Sequence, residues 1–325
     1  MTTRTRWGIL ATGGIADAFV ADLKLLPRAD VAAVGSRRPD TAQAFAARHG
    51  IPRAYGSWAE LAADPDLDVI YVATPHSAHH AASSLCLRAG KAVLCEKPIT
   101  LDRASAEDLA ATARERGLFL MEGMWTRTLP AIRRMRELVN DGAIGAVTAV
   151  YADFAIGGPI PATHRLRARA LGGGALLDLG VYPVTFAHMF LGEPQRIAAL
   201  ATLNQDGVDE NTGMVFGYPN GAVATLHCGI VGNSSVSAAV VGTEGRIVVP
   251  EGFFHTSGFT LVRGERVEEV SLPRRGNGLG YEAEEVMACL ADGRTESDLV
   301  PLSTTLTVMG ILDQVRTQIG VSYRD

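Results

Sequence analysis

The sequence lacks the residue patterns that bind metal ions or form disulfide frameworks. Its 325 residues include only four cysteines, and no two of them are spaced as C-x-x-C,. The eight histidines form no H-E-x-x-H pair,. We therefore expect no metal cofactor, and the scattered cysteines favour a reducing compartment. Because the first strand pattern begins within a few residues of the start, we expect no signal peptide and a cytoplasmic protein.

Long apolar runs and basic blocks are also missing. No uninterrupted apolar stretch reaches the ~18 residues that a membrane-spanning helix needs. The net charge of -5 gives no electrostatic footprint for nucleic acid,. Short arginine clusters, such as Arg165-Leu-Arg167-Ala-Arg169, are typical of solvated faces. Neither a membrane nor a nucleic acid is expected as a partner, and the 47 % of hydrophobic residues is typical of a globular chain of about two domains,.

Strand and helix patterns alternate from Trp7 to Met124. This alternation predicts an α/β fold with a doubly wound parallel sheet, a Rossmann domain, over residues 1–124. Two of the buried strands end on proline, which cannot donate to a sheet ladder: one at Thr74-Pro75-His76 and one at Glu96-Lys97-Pro98,. Residues after such strands lie at the carboxyl edge of the sheet, where α/β proteins bind their ligands.

The turn after the first strand resembles the dinucleotide-binding fingerprint. G-x-G-x-x-G/A needs small residues for the tight turn, the approach of backbone to pyrophosphate and helix packing. Here those positions are Ala11, Gly13 and Ala16, so the first glycine is missing and the match is degenerate. The alternative is a glycine-rich turn without a ligand. If the turn is a dinucleotide-binding fingerprint, the predicted cofactor contacts are Ala11, Thr12, Gly13, Gly14 and Ile15.

The second strand ends in Ser36-Arg37-Arg38. A site that prefers NAD usually has an acidic residue here, about 20 residues after the glycines, to bind the ribose 2′-hydroxyl. A hydroxyl and guanidinium groups instead suit a 2′-phosphate. We therefore predict NADP rather than NAD, with Ser36, Arg37 and Arg38 as contacts and Arg37 as the stronger candidate. The alternative is that one or both arginines only face solvent.

Residues 125–325 are predicted to form a second α/β domain with a large, mostly antiparallel sheet. From Val147 to Leu272 strand patterns dominate and short turns separate them, such as the hairpin turn at Pro219-Asn220-Gly221,. One face of such a sheet can pack on helices, and the other must be solvated or meet a partner.

One helix pattern interrupts these strands and carries two polar residues. In Gly172-Gly-Gly-Ala-Leu-Leu-Asp178-Leu-Gly-Val-Tyr182, Asp178 and Tyr182 are spaced i, i+4 and share a helix face,. Such a pair is either a structural hydrogen bond or part of a catalytic site, and its context decides between the two.

Several motifs in order resemble the Gfo/Idh/MocA family of nicotinamide oxidoreductases, and the resemblance covers nearly the whole chain. Within the family, these motifs are most similar to those of the dimeric dihydrodiol dehydrogenases and the NADP-dependent D-xylose dehydrogenases. The stretches that carry it are Trp7-Gly-Ile, Lys91-Ala-Val-Leu-Cys-Glu-Lys-Pro98, Gly117-Leu-Phe-Leu-Met-Glu122 and Trp125-Thr-Arg127.

The resemblance implies roles for particular residues. Lys97 would face Asp178 and Tyr182 in the catalytic site, and tyrosine stands where many inositol and aldose dehydrogenases have histidine. The substrate pocket implied comprises Lys97, Trp125, Phe154, Asp178 and Tyr182, and Arg165 is added from the loop at 156–171. Further cofactor contacts are expected at Thr74, Pro75, His76, His79, Glu96, Lys97 and Trp125. The family also implies a homodimer through the open face of the second sheet.

The implied reaction is reversible hydride transfer between NADP and a hydroxyl or carbonyl of a sugar, polyol or cyclic diol. Tyr182 would be the base for the hydroxyl proton, Lys97 would favour its ionised form, and Asp178 would orient the groups. Two alternatives stay open: a non-catalytic nucleotide-binding sensor or repressor of the same fold, and an NADPH-dependent reductase of a ketose or anhydro-ketose. The sequence does not choose the substrate or the physiological direction.

Overall fold

The first strand, β1 (Thr5–Leu10), lies in the middle of a six-stranded parallel sheet in the computed structural model, which describes residues 4–323. The strand order is β3-β2-β1-β4-β5-β6. The other strands are β2 (Ala29–Gly35), β3 (Arg53–Tyr55), β4 (Val69–Val72), β5 (Ala92–Glu96) and β6 (Leu120–Gly123). Strands β4 and β5 are buried along their whole length, as in a sheet covered on both faces,. The predicted doubly wound sheet is confirmed.

The helices of this unit follow the strands in alternation. They are α1 (Gly14–Leu23), α2 (Pro39–His49), α3 (Trp58–Ala63), α4 (His79–Arg88) and α5 (Arg103–Arg116). Short 3-10 turns stand at His76–Ala78 and Trp125–Thr128. The strand order reverses between β1 and β4, so the carboxyl ends of these two strands open on the crevice where such sheets bind ligands,.

The first unit also includes a segment from far along the chain. One compact unit is the described residues up to Thr128 together with Arg275–Leu306, which contains α8 (Gly280–Ala291). The other is Leu129–Arg274 with the described residues from Thr307 onward. Helix α9 (Leu302–Ile319) begins in the first unit and ends in the second. The compact units therefore differ from the predicted contiguous division into 1–124 and 125–325.

The second unit is built on an eight-stranded sheet of order β14-β13-β12-β11-β7-β10-β9-β8. Only the β7–β10 pair is parallel among the described pairs, which confirms the mostly antiparallel sheet. The strands are β7 (Val147–Ala155), β8 (Arg196–Leu203), β9 (Asp209–Gly217), β10 (Val223–Gly229), β11 (Ala238–Gly242), β12 (Arg246–Val249), β13 (Gly258–Arg263) and β14 (Arg266–Ser271). Its helices include α6 (Pro130–Asn140) and α7 (Val181–Leu191), and α7 packs on β7.

The other face of this sheet carries exposed apolar side chains in register. Thr225 of β10 lies opposite Val215 of β9 and Tyr151 of β7. Ala198 of β8 extends the same row beyond Val215. Tyr151 is 51 % exposed and Val215 is 47 % exposed, and Leu200 of β8 is exposed as well. This face therefore exposes apolar side chains on at least four strands in the single chain.

One stretch, Arg169–Leu191, is long and apolar enough to cross a membrane by length and composition. It contains Asp178, so it is not an uninterrupted apolar run. Inside the structure 78 % of its most apolar window is buried, as in the core helices of globular domains. The stretch therefore gives weak support at most for a membrane span.

Candidate active site

The turn between β1 and α1 leaves an open helix N-terminus. Gly13 is the residue before the helix and no side chain caps it. A methyl group added at Gly13 or Gly14 would meet no atom within 4 Å, so the space in front of the helix is clear. Uncapped N–H groups at a helix N-terminus bind phosphate groups well. The five predicted cofactor residues from Ala11 to Ile15 all lie at this turn, and their arrangement fits a dinucleotide pyrophosphate.

The residues after β2 present a hydroxyl and two exposed cations. The Ser36 hydroxyl lies 2.7 Å from that of Thr41. The Arg37 guanidinium lies over the ring of Trp58, with 5.8 Å between its carbon and the ring centroid. Arg38 is exposed beside it. This arrangement fits a 2′-phosphate, because the ring contact holds Arg37 while its planar donors stay accessible.

The end of β4 brings together Thr74, His76 and His79. The Thr74 hydroxyl is buried and has no hydrogen-bond partner within residues 4–323, so it could serve a bound ligand. His79 is fully buried, and its two ring nitrogens lie 2.8 Å from the Pro98 carbonyl and 2.7 Å from the Thr74 carbonyl. Burial lowers the pKa of His79 to about 3. A side chain enclosed in this way joins the ends of β4 and β5, and its role as a cofactor contact stays a prediction.

Glu96 and Lys97 end strand β5, and the structure gives them different environments. Glu96 is buried; it accepts a hydrogen bond from the Tyr71 hydroxyl and another from the Lys97 main-chain N–H at 3.2 Å. Burial raises the pKa of Glu96, and the Lys97 cation opposes that rise. Lys97 itself is only partly buried. Glu96 therefore supports the turn from inside, while Lys97 is the member of the pair that a substrate could reach.

Two further buried carboxyl groups near this turn have no role in the sequence-based prediction. Glu122 of β6 accepts from the Ile99 N–H at 3.1 Å and from the Thr305 hydroxyl at 2.9 Å, and burial raises its pKa to about 7. Glu282 of α8 is fully buried and neither oxygen has a hydrogen-bond partner among the described residues. Burial and the nearby Glu96 raise the pKa of Glu282 well above its ordinary value. Glu122 ends one of the motifs that carry the family resemblance, whereas only the fold brings Glu282 near Glu96 and no local sequence signal marks it.

In the second unit, Asp178 and Tyr182 lie on successive parts of one helical segment. Asp178 is buried in a π-helical turn, Leu176–Gly180, and its Oδ1 lies 3.0 Å from Arg165 Nη1. Tyr182 is buried in the first turn of α7. The Arg165 cation is half exposed, so the pair joins the loop to the buried carboxylate.

Two phenylalanines surround the Tyr182 ring. Its centroid lies 5.5 Å from that of Phe154 and 5.1 Å from that of Phe254. Phe154 and Phe254 stack on each other at 4.3 Å. Phe254 is absent from the sequence-based prediction, because it lies in a 3-10 turn, Phe253–His255, outside any periodic element. The cluster offers an apolar surface next to a phenol.

The arginines at 165, 167 and 169 are only partly solvated, and each makes a polar contact. Arg167 pairs with Glu210 at 2.9 Å, and Arg169 Nε donates to the Ser322 carbonyl at 2.9 Å. With the Arg165–Asp178 pair, each arginine holds a different part of the second unit. The arginines of this irregular segment therefore bind different neighbours, while the Arg165 side chain stays half exposed, as expected of a solvated cluster.

The predicted catalytic and substrate-binding residues are divided between the two units. Lys97 and Trp125 belong to the first, and Trp125 is buried in the 3-10 turn after β6. Phe154, Arg165, Asp178 and Tyr182 belong to the second, where contacts join them in two pairs. That Lys97 acts together with Asp178 and Tyr182 stays a prediction.

Known proteins resemble this chain over its whole length. Residues 5–124 match the family described as an oxidoreductase family with an NAD-binding Rossmann fold, and residues 132–248 match the GFO/IDH/MocA C-terminal domain. The trans-1,2-dihydrobenzene-1,2-diol dehydrogenases of Bos taurus and Homo sapiens are each 39 % identical, over 98 % of both chains.

Solved structures show the same architecture. A 3-ketoreductase from Actinomadura kijaniata, in complex with NADP and TDP-benzene, superposes with a TM-score of 0.88 at 30 % identity over 98 % of both chains. An aldose-aldose oxidoreductase from Caulobacter crescentus, complexed with glycerol, gives a TM-score of 0.87 at 25 % identity over 97 % of both chains. With its open dinucleotide turn and whole-length relatives, this chain belongs to the Gfo/Idh/MocA family of oxidoreductases.

Proposed function

We propose that this chain is an NADP-dependent oxidoreductase that transfers a hydride between the cofactor and a hydroxyl or carbonyl group of a sugar, polyol or cyclic diol. The observation that carries the proposal is the helical segment with buried Asp178 and Tyr182, which is bordered by Arg165 and by stacked Phe154 and Phe254. A pure nucleotide sensor has no need of an aligned acid and phenol.

The proton of the substrate hydroxyl needs an acceptor. Bound NADP would supply the hydride-accepting carbon of its nicotinamide ring. We assign the base to Tyr182, whose phenol has an ordinary pKa of about 10. The Lys97 cation would favour the phenolate and stabilise negative charge on the substrate oxygen. Asp178 would accept a hydrogen bond from a neighbouring hydroxyl and so hold the substrate in register.

The aromatic cluster favours a substrate with one apolar face. Phe154 and Phe254 present ring surface, while Asp178 and Arg165 offer polar groups in the same unit. Sugars and cyclic trans-diols have an apolar ring face and adjacent hydroxyls, which matches this division. The whole-length relatives that act on dihydrobenzene diols, by their names, support this class.

NADP is favoured over NAD by the residues after β2. Arg37 is an exposed cation held over Trp58, with the Ser36 hydroxyl beside it. The 3-ketoreductase that superposes on this chain was crystallised with NADP, which supports the same choice.

Initial rates of NADPH formation test the proposal. D-xylose, other aldoses, inositols and a cyclic trans-diol would each be offered with NADP, and with NAD in parallel; the reverse direction would use NADPH and ketoses. We expect turnover of at least one substrate with NADP preferred, and a loss of that preference in Arg37→Ala. Tight NADPH binding without turnover in either direction would favour the sensor function instead.

Two variants test the assigned roles in the same assay. Tyr182→Phe and Lys97→Met should each lose turnover by at least about a hundredfold while still binding NADPH, as followed by its fluorescence. Full turnover in either variant would contradict its role.

We further propose a homodimer formed through the outer face of the eight-stranded sheet. The row Ala198–Val215–Thr225–Tyr151 is uncharged and crosses four strands, and Leu200 and Val223 add exposed apolar surface beside it. Contiguous exposed apolar patches of this kind usually mark protein interfaces.

A reducing compartment such as the cytoplasm is our proposal for the location. All four cysteines are unpaired and buried. Burial raises the pKa of the Cys86 thiol to about 12, which makes it unreactive,.

A further inference from the structure

The glycine turn at residues 172–174 comes just before the helical segment with Asp178 and Tyr182. It is held by the irregular segment that precedes it, residues 165–171. The Gly174 N–H donates to the Leu166 carbonyl at 2.8 Å, and the Gly173 N–H donates to the Ala168 carbonyl at 3.1 Å. A methyl group at Gly173 would lie only 2.7 Å from the Arg165 carbonyl oxygen. The turn and the arginine segment therefore behave as one packed piece of backbone.

A buried carboxylate holds the same helix start from the sheet. Asp209 of β9 is fully buried; its Oδ2 accepts from the Leu176 N–H at 2.7 Å and from the Thr212 hydroxyl at 2.8 Å. Its Oδ1 has no hydrogen-bond partner among residues 4–323. Asp209 thus caps the π-helical turn that carries Asp178.

The last described residues of the chain complete this arrangement from the other side. The Tyr323 hydroxyl donates to the Gly173 carbonyl, and the Ser322 carbonyl accepts from Arg169 Nε at 2.9 Å. The Arg316 guanidinium lies over the Tyr323 ring, 5.4 Å from its centroid. Burial raises the pKa of the Tyr323 phenol, so it stays a neutral donor at working pH.

Gly174 packs closely against the Tyr323 hydroxyl. Its φ is +121°, a backbone conformation that favours glycine, and a methyl group there would lie 3.1 Å from the Tyr323 oxygen,. The Gly174 carbonyl accepts from the Asp178 N–H at 3.4 Å. A shift of the turn is therefore passed directly to the residue that carries the carboxylate.

We propose that Tyr323 is a positioning residue for Asp178: its hydroxyl fixes the glycine turn from which the segment with Asp178 and Tyr182 starts. The effect on turnover rests on the proposed function. That the Tyr323 hydroxyl holds the glycine turn does not depend on it. The segment after α9 thereby helps to position a residue that we assign to substrate binding.

Tyr323→Phe in the full chain is the direct test, because it removes the hydroxyl and keeps the ring against Arg316. We expect kcat to fall roughly tenfold, since small misplacements of catalytic groups are costly. The NADPH dissociation constant should stay unchanged, and the melting temperature should fall by no more than about 2–4 °C, because one buried hydrogen bond is lost. Tyr281→Phe is the matched control, because Arg275 lies over that ring at 4.9 Å and its main-chain N–H bonds the phenol oxygen at 3.0 Å. This control should leave kcat unchanged.

Hydrogen–deuterium exchange supplies a readout that does not depend on turnover. Amides of residues 174–182 should exchange at least about threefold faster in Tyr323→Phe than in the wild type, while those of α5 stay unchanged. Equal kcat and equal exchange in the two proteins would overturn the inference. If the wild type turns over no substrate, the proposed function fails, and the exchange result alone decides whether Tyr323 holds the turn.

Discussion

Ala11 stands in the dinucleotide turn where the fingerprint has its first glycine, and its φ is +104°. A residue with a β-carbon at such an angle is strained by about 1–3 kcal/mol. Ala11→Gly should therefore raise the free energy of unfolding by about 1 kcal/mol, after the entropy of glycine in the unfolded chain is subtracted. Urea unfolding measures it.

The matched control for Ala11 is Ala44→Gly, an exposed position inside α2. It should lose about 1 kcal/mol, because glycine is a poor helix former at ordinary angles. A loss of stability in Ala11→Gly as well would show that the turn is not strained.

Glu122 gives the stability of the protein a dependence on pH. Its pKa is raised by burial from 4.5 to about 7 in the folded chain. Between those values the folded state binds more protons than the unfolded state, so the contribution of Glu122 favours folding below pH 4.5 and is lost as pH rises to about 7,. The full effect is on the order of 3 kcal/mol.

Glu122→Gln removes this titration and keeps a side chain of the same shape. Between pH 5 and pH 8 the free energy of unfolding should fall in both proteins. The fall should be smaller in Glu122→Gln than in the wild type, by roughly 1–3 kcal/mol. Urea unfolding at several pH values measures the slope. Parallel pH profiles for the two proteins would mean that Glu122 is ionised throughout.

At the level of elements, Asp22 of α1 fixes the start of α8. Its Oδ1 accepts from the Asn277 N–H at 2.8 Å, and its Oδ2 accepts from the N–H groups of Leu279 and Gly280 at 2.8 and 3.1 Å. Asp22→Ala would leave these donors unsatisfied in a buried place, at a cost of about 3–5 kcal/mol.

The control for Asp22 is Asp30→Ala, which changes an exposed carboxylate of the same unit. It should alter the free energy of unfolding by less than about 0.5 kcal/mol. Equal urea unfolding curves for the two variants would contradict the role of Asp22.

Elements with strong periodicity could be predicted from the sequence, and irregular ones could not. Strands β4 and β5 read as apolar runs that end on proline, and the structure has them there. Strand β3 has three residues, too few for a period, and was not predicted. The helix pattern that carries Asp178 was expected to include the glycines from Gly172, but Gly174 has φ +121° and the π-helical turn begins at Leu176.

Site residues divide along the same line. Lys97, Asp178 and Tyr182 stand in motifs that the sequence displays, and so does Glu122, whereas Phe254 and Glu282 reach their places only through tertiary folding. The same holds at the scale of the molecule, since Asp22 bonds residues about 255 positions away and so brings Arg275–Leu306 into the first unit. No local pattern encodes a contact of that separation.

The assembly of the whole molecule depends, in our proposal, on the outer face of the eight-stranded sheet. Val215 lies in the middle of the exposed row, between Ala198 and Thr225. Val215→Lys would place a charge in a closely packed apolar interface, where desolvation without a partner costs several kcal/mol. The wild type should elute as a dimer in size-exclusion chromatography with light scattering, and Val215→Lys should elute as a monomer with an unchanged circular dichroism spectrum.

Leu25→Lys is the control for this experiment, because Leu25 is an exposed apolar residue of the first unit. It adds the same charge outside the second unit, and this variant should remain dimeric. A monomeric wild type, or a Val215→Lys variant that stays dimeric at micromolar concentration, would exclude this face as the interface. Since the row is uncharged, the wild-type dimer should also persist at high salt, whereas an interface built from surface ion pairs would weaken.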